Sequence, residues 1–244
     1  MIRKHFHDVF FDGESLADFG VHVSGDSVFT APERVYNTVE VPGRNGSLHI
    51  DEGRFKSTTL VYPAFIADVE RFSYNMQAFR NFMLSRIGEK RLEDTYHPEE
   101  YRMALYKGPL DFEAILLRGA NFDIEFETTG ERFLKEGEVQ KTFTSTGTII
   151  NPTYFPSKPL IRVYGKGTLG IGENTIVIAQ HSYSYLDIDC KLMDAYYGAT
   201  NCNKFVTITV PSGKSYIELA SGSNGVSLGS GITQVIIWPK WWMV

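Results

Sequence analysis

The sequence predicts a mainly β protein built as two β-sandwich domains, the first of which carries a single α-helix. Three observations lead there. Short runs alternate apolar and polar residues between clusters of Gly, Pro, Asn and Asp, which is the signature of strands and turns. Only one segment, about residues 68–87, repeats apolar residues at steps of three or four. Aromatic residues make up 14% of the 244 positions and there are 22 glycines, a balance that favours strands and turns over helices.

In chain order, "VYNTVEVPGRNGSLHI" alternates Val35, Asn37, Val39 and Val41, then resumes with Leu48 and Ile50. It reads as two strands joined by a tight loop, because Asn45-Gly46 accepts the positive φ of hairpin turns. "TTLVYPAFI" is a further strand in which Pro63 favours an edge or a strand end. The helix comes next: Val69, Phe72, Met76, Phe79, Met83 and Ile87 form one apolar stripe. Asp68 can cap its start and Gly88 can take the left-handed position past its end, with Arg80 and Arg86 toward the negative end of its dipole. After it, Phe122, Ile124 and Phe126 share one face of a strand, with Asp123, Glu125 and Glu127 on the other.

A polar, Gly- and Pro-containing stretch around residues 130–159 holds the domain boundary, which gives domains 1–134 and 135–244. Beyond it "LIRVYG", "NTIVIA", "SYLDIDC", "KFVTITV", "SYIELA" and "TQVIIW" are all strand-like. Short strands at such spacing mark a sandwich. The chain closes on "VIIWPKWWMV", which holds all three tryptophans: Trp238, Trp241 and Trp242. Three indoles on a loose tail would be an aggregation hazard. They are expected in the structural core, on a final strand interrupted by Pro239.

Composition excludes several classes of function. A net charge of −5 with no basic block lacks the footprint of a nucleic-acid binder. No apolar run approaches the ~18–20 residues of a membrane span. "MIRKHFHDVFFDGESL" has no apolar core of a secretory signal. Two cysteines, Cys190 and Cys202, are too few for a disulfide scaffold, and the chain is expected to fold in a cytoplasm.

The tempting sites read as structure. "GKGTLG" matches a dinucleotide fingerprint at Gly165, Gly167 and Gly170, with Asp189 at a suitable distance. A turn and a β-branched run follow where the fingerprint needs a helix N-terminus, so the segment is expected to be a glycine-rich hairpin. His5 and His7 lack a third metal ligand. Asp187, Asp189 and Asp194 could suggest a carboxylate pair or a calcium site, but they alternate with Leu186, Ile188 and Cys190 as on a half-buried strand. No catalytic residue, cofactor site or metal site is assigned.

Several ordered stretches carry a resemblance. "FDGESLADFGVHV", "VEVPGRNGSLHIDEGRF", "HPEEYRMALYKG" and "DIDCKLMDAYYGATNCNKF", then "ITVPSGKSYIELASG" and "VIIWPKWWMV", together resemble the distal tail proteins (Dit) of bacteriophages with long, non-contractile tails. The resemblance runs almost end to end. It implies a structural virion protein forming a homohexameric ring, the hub at the distal end of the tail tube that joins it to the baseplate or tip. The N-terminal domain, with an extended arm or hairpin, would build the ring. The C-terminal domain would be a galectin-like β-sandwich pointing outward.

The partners so implied are the chain itself, the major tail tube protein, a tail-associated tip or fibre protein and the tape-measure protein. Phage DNA would pass through the ring. The site implied is the virion tail tip, after assembly in the host cytoplasm. Relatives with a sugar-binding module carry it as an insertion in the second domain; this chain is similar to the short form without one. Arg44 and Asn45 of the PGRNG loop are the candidate oligomer-interface residues. The competing reading is a carbohydrate-binding β-sandwich protein for host-surface attachment.

Overall fold

The computed structural model describes residues 7–24, 30–66, 70–115 and 119–244. The chain divides into two compact units, Met1–Arg132 with Val244, and Phe133–Met243. Both are dominated by antiparallel strands, and one α-helix is present among the described residues.

The first unit contains β1 (Val9–Phe11), β2 (Glu14–Ser15), β3 (Val21–Val23), β4 (Arg34–Val39), β5 (Leu48–Phe55) and β6 (Thr58–Ile66). Helix α1 (Phe72–Ser85) follows, then β7 (Lys90–Asp94), β8 (Glu100–Tyr106), β9 (Glu113–Ile115) and β10 (Gly119–Thr128). The main sheet runs in the order β2-β1-β7-β8-β10-β6-β3, with β9 added to β10, while among the described residues β4 and β5 pair only with each other. The longest ladder is β10 on β6, from Ala120 opposite Ile66 to Thr128 opposite Thr58. Alternation decides its faces: Phe122, Ile124 and Phe126 point into the core and Asp123 and Glu125 point out. Phe72, Phe79, Phe82 and Met83 of α1 complete that core against Phe11, Leu16 and Phe126.

Two local expectations change. The helix ends at Ser85 because Arg86 turns to extended backbone (φ −85, ψ 100). The 3.6-residue period therefore never reaches Ile87, which is 88% exposed, and Phe82 takes the inward place instead. Gly88 does adopt φ +76; the expected cap Asp68 and Val69 lie outside the described residues. Pro63 sits inside β6, which is not an edge strand. Its carbonyl accepts from Ser24 N (2.8 Å), so its nitrogen faces the side on which β3 has just ended and no ladder bond is lost.

β11 (Arg132–Leu134) stands at the boundary of the units. The second unit then has β12 (Lys141–Phe143), β13 (Gly147–Asn151), β14 (Leu160–Gly165), β15 (Gly167–Ile171), β16 (Asn174–Ile178) and β17 (Leu186–Asp189). The last strands are β18 (Asp194–Tyr197), β19 (Thr200–Asn201), β20 (Val206–Thr209), β21 (Gly222–Leu228), β22 (Ile232–Trp238) and β23 (Trp242–Met243). Two sheets form, ordered β12-β22-β14-β17-β18-β19 and β13-β21-β15-β16-β20. Their inner faces meet in one apolar cluster, with Ile161, Val163, Ile188, Val235 and Ile237 from the first and Leu169, Ile171, Ile176 and Val226 from the second. That is a β-sandwich.

The glycines of "GKGTLG" do not make a hairpin. β14 and β15 belong to different sheets, and the turn between them carries the chain across. Gly165 (φ +97) and Gly167 (φ +136) lie so close to the carbonyls of Gly231 and Ser230 that any Cβ there would collide with backbone. The glycines serve turn packing, and a strand follows them, so no helix N-terminus is present to hold a phosphate.

Candidate assembly surface

The β4–β5 ribbon carries the candidate interface residues, and its chemistry follows from its register. Asn37 faces Ile50, Thr38 faces His49, Val39 faces Leu48 and Tyr36 faces Asp51. Directly opposed residues share a face and neighbours along a strand alternate. Asn37, Val39, Leu48 and Ile50 therefore line one face, and Tyr36, Thr38, His49 and Asp51 the other. In a ribbon within a sandwich the first face would be buried. Here Val39, Val41, Leu48 and Ile50 are all exposed, Ile50 by 49%. A two-stranded ribbon on its own is marginal in water, and contiguous exposed apolar patches are where proteins tend to associate.

The ribbon is shaped as well as amphipathic. Between Arg34 opposite Phe55 and Tyr36 opposite Asp51 the register shifts, leaving Glu52, Gly53 and Arg54 as a bulge against Val35. Gly53 takes φ +71 there. Asp51 ties the bulge down: its Oδ1 accepts from Gly53 N (2.8 Å) and its Oδ2 from Arg34 Nε (2.7 Å). The Gly53 bond, with help from the Arg34 guanidinium, holds the Asp51 carboxyl below its ordinary value. At the base, Gly130 admits close packing, since a Cβ there would lie 2.8 Å from Phe55 Cβ and 3.0 Å from Pro32.

Residues 40–47 connect the strands, so the link is longer than the tight Asn-Gly turn expected, and Val41 lies beyond β4. Both Gly43 (φ +82) and Gly46 (φ +80) adopt the left-handed conformation. Arg44 N donates to Val41 O (3.1 Å) to close the first bend. The Arg44 and Asn45 side chains point from the tip into solvent, and no described residue pairs with the Arg44 guanidinium. The structure thus brings Arg44 and Asn45 together with the apolar face of the ribbon. The sequence reading missed that face as a surface, although the alternation that reveals it is present in the residues.

The three tryptophans separate. Trp241 is buried to 1% exposure in the sandwich core. Trp238 and Trp242 are half-buried at its rim, which narrows the expectation of three core indoles. Trp242 stacks on Phe155 (4.6 Å between ring centres) and its Nε1 donates to Pro156 O (2.8 Å). Trp238 lies near the Arg162 guanidinium (5.6 Å), which stacks more closely on Tyr185 (4.0 Å). Arg162 also grips Asp187 with two bonds, of 2.7 and 2.9 Å. The aromatic faces that a sugar would need are partly taken up by this cation.

The carboxylates are occupied one by one. Asp187 serves Arg162, Asp189 Oδ1 accepts from Lys191 N and Leu192 N (both 2.9 Å), and Asp194 Oδ1 accepts from Asn203 Nδ2 (2.6 Å) and Asn201 Nδ2 (2.8 Å). No group of three metal-ligating side chains occurs among the described residues. His7 stacks on Tyr96 (3.9 Å), and His5 lies outside the described residues. Cys190 and Cys202 are free and buried, and burial pushes the Cys190 thiol well up. A thiol so protonated is a poor nucleophile.

No protein-family model and no curated protein matches the sequence. Among solved structures, the crystal structure of the Dit protein (gp 19.1) of phage SPP1 is similar, with a TM-score of 0.69. The match covers 98% of this chain and 99% of that one at 11% identity. SPP1 Dit is described as a paradigm of the hub adsorption apparatus in phages that infect Gram-positive bacteria. At that identity the likeness is one of fold, and it extends over almost the whole of both chains.

Proposed function

We propose that this chain, which shares its fold with a phage tail hub protein, is a non-enzymatic structural protein of a bacteriophage virion. In this reading it forms a homohexameric ring at the distal end of the tail tube and joins the tube to the baseplate or tip. The observation that carries the proposal is the uncovered apolar face of β4–β5, formed by Val39, Leu48 and Ile50, on a protomer of hub-protein fold. A ring needs a heterologous interface, in which a patch on one copy meets a different patch on the next and closes after a fixed rotation. An amphipathic ribbon on a bent base supplies the first patch, with Arg44 at its tip to meet a carboxylate of the neighbour.

The tail tube protein, a tip or fibre protein and the tape-measure protein are the partners, and the protein works at the virion tail tip after assembly in the host cytoplasm. A net charge of −5 suits a ring through which DNA passes, since basic walls would hold phosphates. Light scattering behind a sizing column, with negative-stain imaging, tests the proposal. Six-fold rings are expected, alone or with the tail tube protein. A chain that stays monomeric at high micromolar concentration, with that partner present, would overturn it.

A further inference from the structure

The second unit has an edge strand that lacks the usual protection. β13 pairs with β21 on one side, and among the described residues no strand pairs with its other side. Proteins normally blunt such edges with charge, proline or shortness. In this chain β12 carries Lys141, β2 carries Glu14 and β19 is two residues long. β20, at the far edge of the same sheet, turns only Thr207 and Thr209 fully outward. β13 has none of these guards along its length. No charged residue occurs between Lys141 and Lys158, and Ile150 stands 68% exposed on the outer face.

Beside this edge is a rigid loop with an exposed aromatic residue at its apex. Buried Asn151 knots it: Oδ1 accepts from Thr153 N (2.9 Å) and Thr153 Oγ1 (2.8 Å), and Nδ2 donates to Phe155 O (2.9 Å). Ser221 Oγ donates to Thr153 O (2.6 Å), and Phe155 is held by its stack on Trp242. Tyr154, between these anchors, is 94% exposed. A tyrosine presented on a preorganised loop loses little freedom on docking, and such residues are enriched at interface hot spots.

We propose that β13 is a self-association edge, to which a second copy of this chain adds its own β13, antiparallel, about a two-fold axis. The two five-stranded sheets then become one continuous sheet, with Tyr154 of each copy flanking the seam. The charge pattern selects this occupant. A two-fold contact sets a short strand against itself, so any charge on it would recur across the seam within a few ångström. A strand free of charge meets itself without that penalty. With the register centred on Ile149, Thr148 of each copy faces Ile150 of the other, which are favourable β-branched pairs. Pro152 stops the ladder directly after Asn151. An isologous contact by itself closes at two copies.

This contact is separate from the β4–β5 arm and does not rest on the ring reading. The test uses the full chain in sedimentation velocity, with and without Ile150→Lys, in both the native sequence and an arm-defective Leu48→Asp/Ile50→Asp background. The arm-defective chain is expected to sediment as a dimer, and Ile150→Lys is expected to convert it to a monomer with its circular-dichroism spectrum unchanged. An arm-defective chain that is monomeric at high micromolar concentration, or a dimer indifferent to Ile150→Lys, would overturn the inference. Amide exchange in the unmodified protein gives a second readout. The β13 amides should exchange several-fold more slowly as protein concentration rises; rates independent of concentration would also overturn it. Rings that form without any doubling of mass would leave the proposed function standing and remove this contact.

Discussion

Gly137 and Trp241 are in backbone contact: a Cβ on Gly137 would collide with the peptide nitrogen of Trp241 and lie 3.2 Å from its Cα. Around that contact Lys240 N donates to Gly137 O (2.8 Å) and Leu134 N to Trp241 O (2.9 Å). The start and the end of the second unit are thus laced together at the one place where the buried indole enters its core. Gly137→Ala must push these segments apart, and overpacking of this kind costs about 1–3 kcal/mol. Calorimetry should show a lower melting transition for this variant. An unchanged transition would mean the segments separate without loss.

Truncation of the indoles should grade with burial. Trp241→Ala empties a fully buried site and is expected to cost ~3–5 kcal/mol, while Trp242→Phe loses one hydrogen bond to Pro156 O, worth about 1 kcal/mol. Deleting residues 241–244 removes both indoles and should leave the chain insoluble or strongly destabilised. A truncated chain that melts normally but loses binding to a glycan array would revive a sugar-binding role for the tail.

Substitutions on the arm should separate assembly from stability. Leu48→Asp with Ile50→Asp places charge on a face that is exposed among the described residues, so the protomer's fold, read by circular dichroism, should hold while ring assembly is lost. Arg44→Ala should weaken assembly by a smaller amount. Gly46→Val forces a β-branched residue to φ +80, a local strain of roughly 1–2 kcal/mol confined to the tip. If Gly46→Val instead unfolds the unit and Arg44→Ala changes nothing, the loop is only a turn.

The bulge at the base of the arm should open with acid. Asp51 has its carboxyl held below the ordinary value by Gly53 N–H and by Arg34. Because the folded value is the lower one, the stabilising contribution is complete above the ordinary carboxylate range and disappears as pH falls through the depressed value. The Gly53 amide resonance and its exchange rate, followed on descending pH, should report that opening. In Asp51→Asn the same titration should be flat.

Much of this protein is legible in its residues because backbone geometry alone fixes a side chain's face. Phe122, Ile124 and Phe126 alternate with acids, and that period by itself puts them inward on β10. The stripe from Phe72 to Met83 likewise specifies one buried helix face. The order of Val235, Ile237 and the tryptophans specifies a last strand. Partners distant in sequence decide the rest. Ile87 has the spacing of a core residue and lies in solvent, because Arg86 leaves the helix before the period reaches it. Gly165 and Gly167 imitate a phosphate loop, yet their reason is the backbone of Gly231 and Ser230, which lies far along the chain. Val39, Leu48 and Ile50 alternate as if for a core, and only the tertiary structure shows that among the described residues they stay on the exposed surface. Periodicity is a local property of φ and ψ, whereas coverage depends on what the rest of the chain brings near, and for an assembling protein also on the next copy.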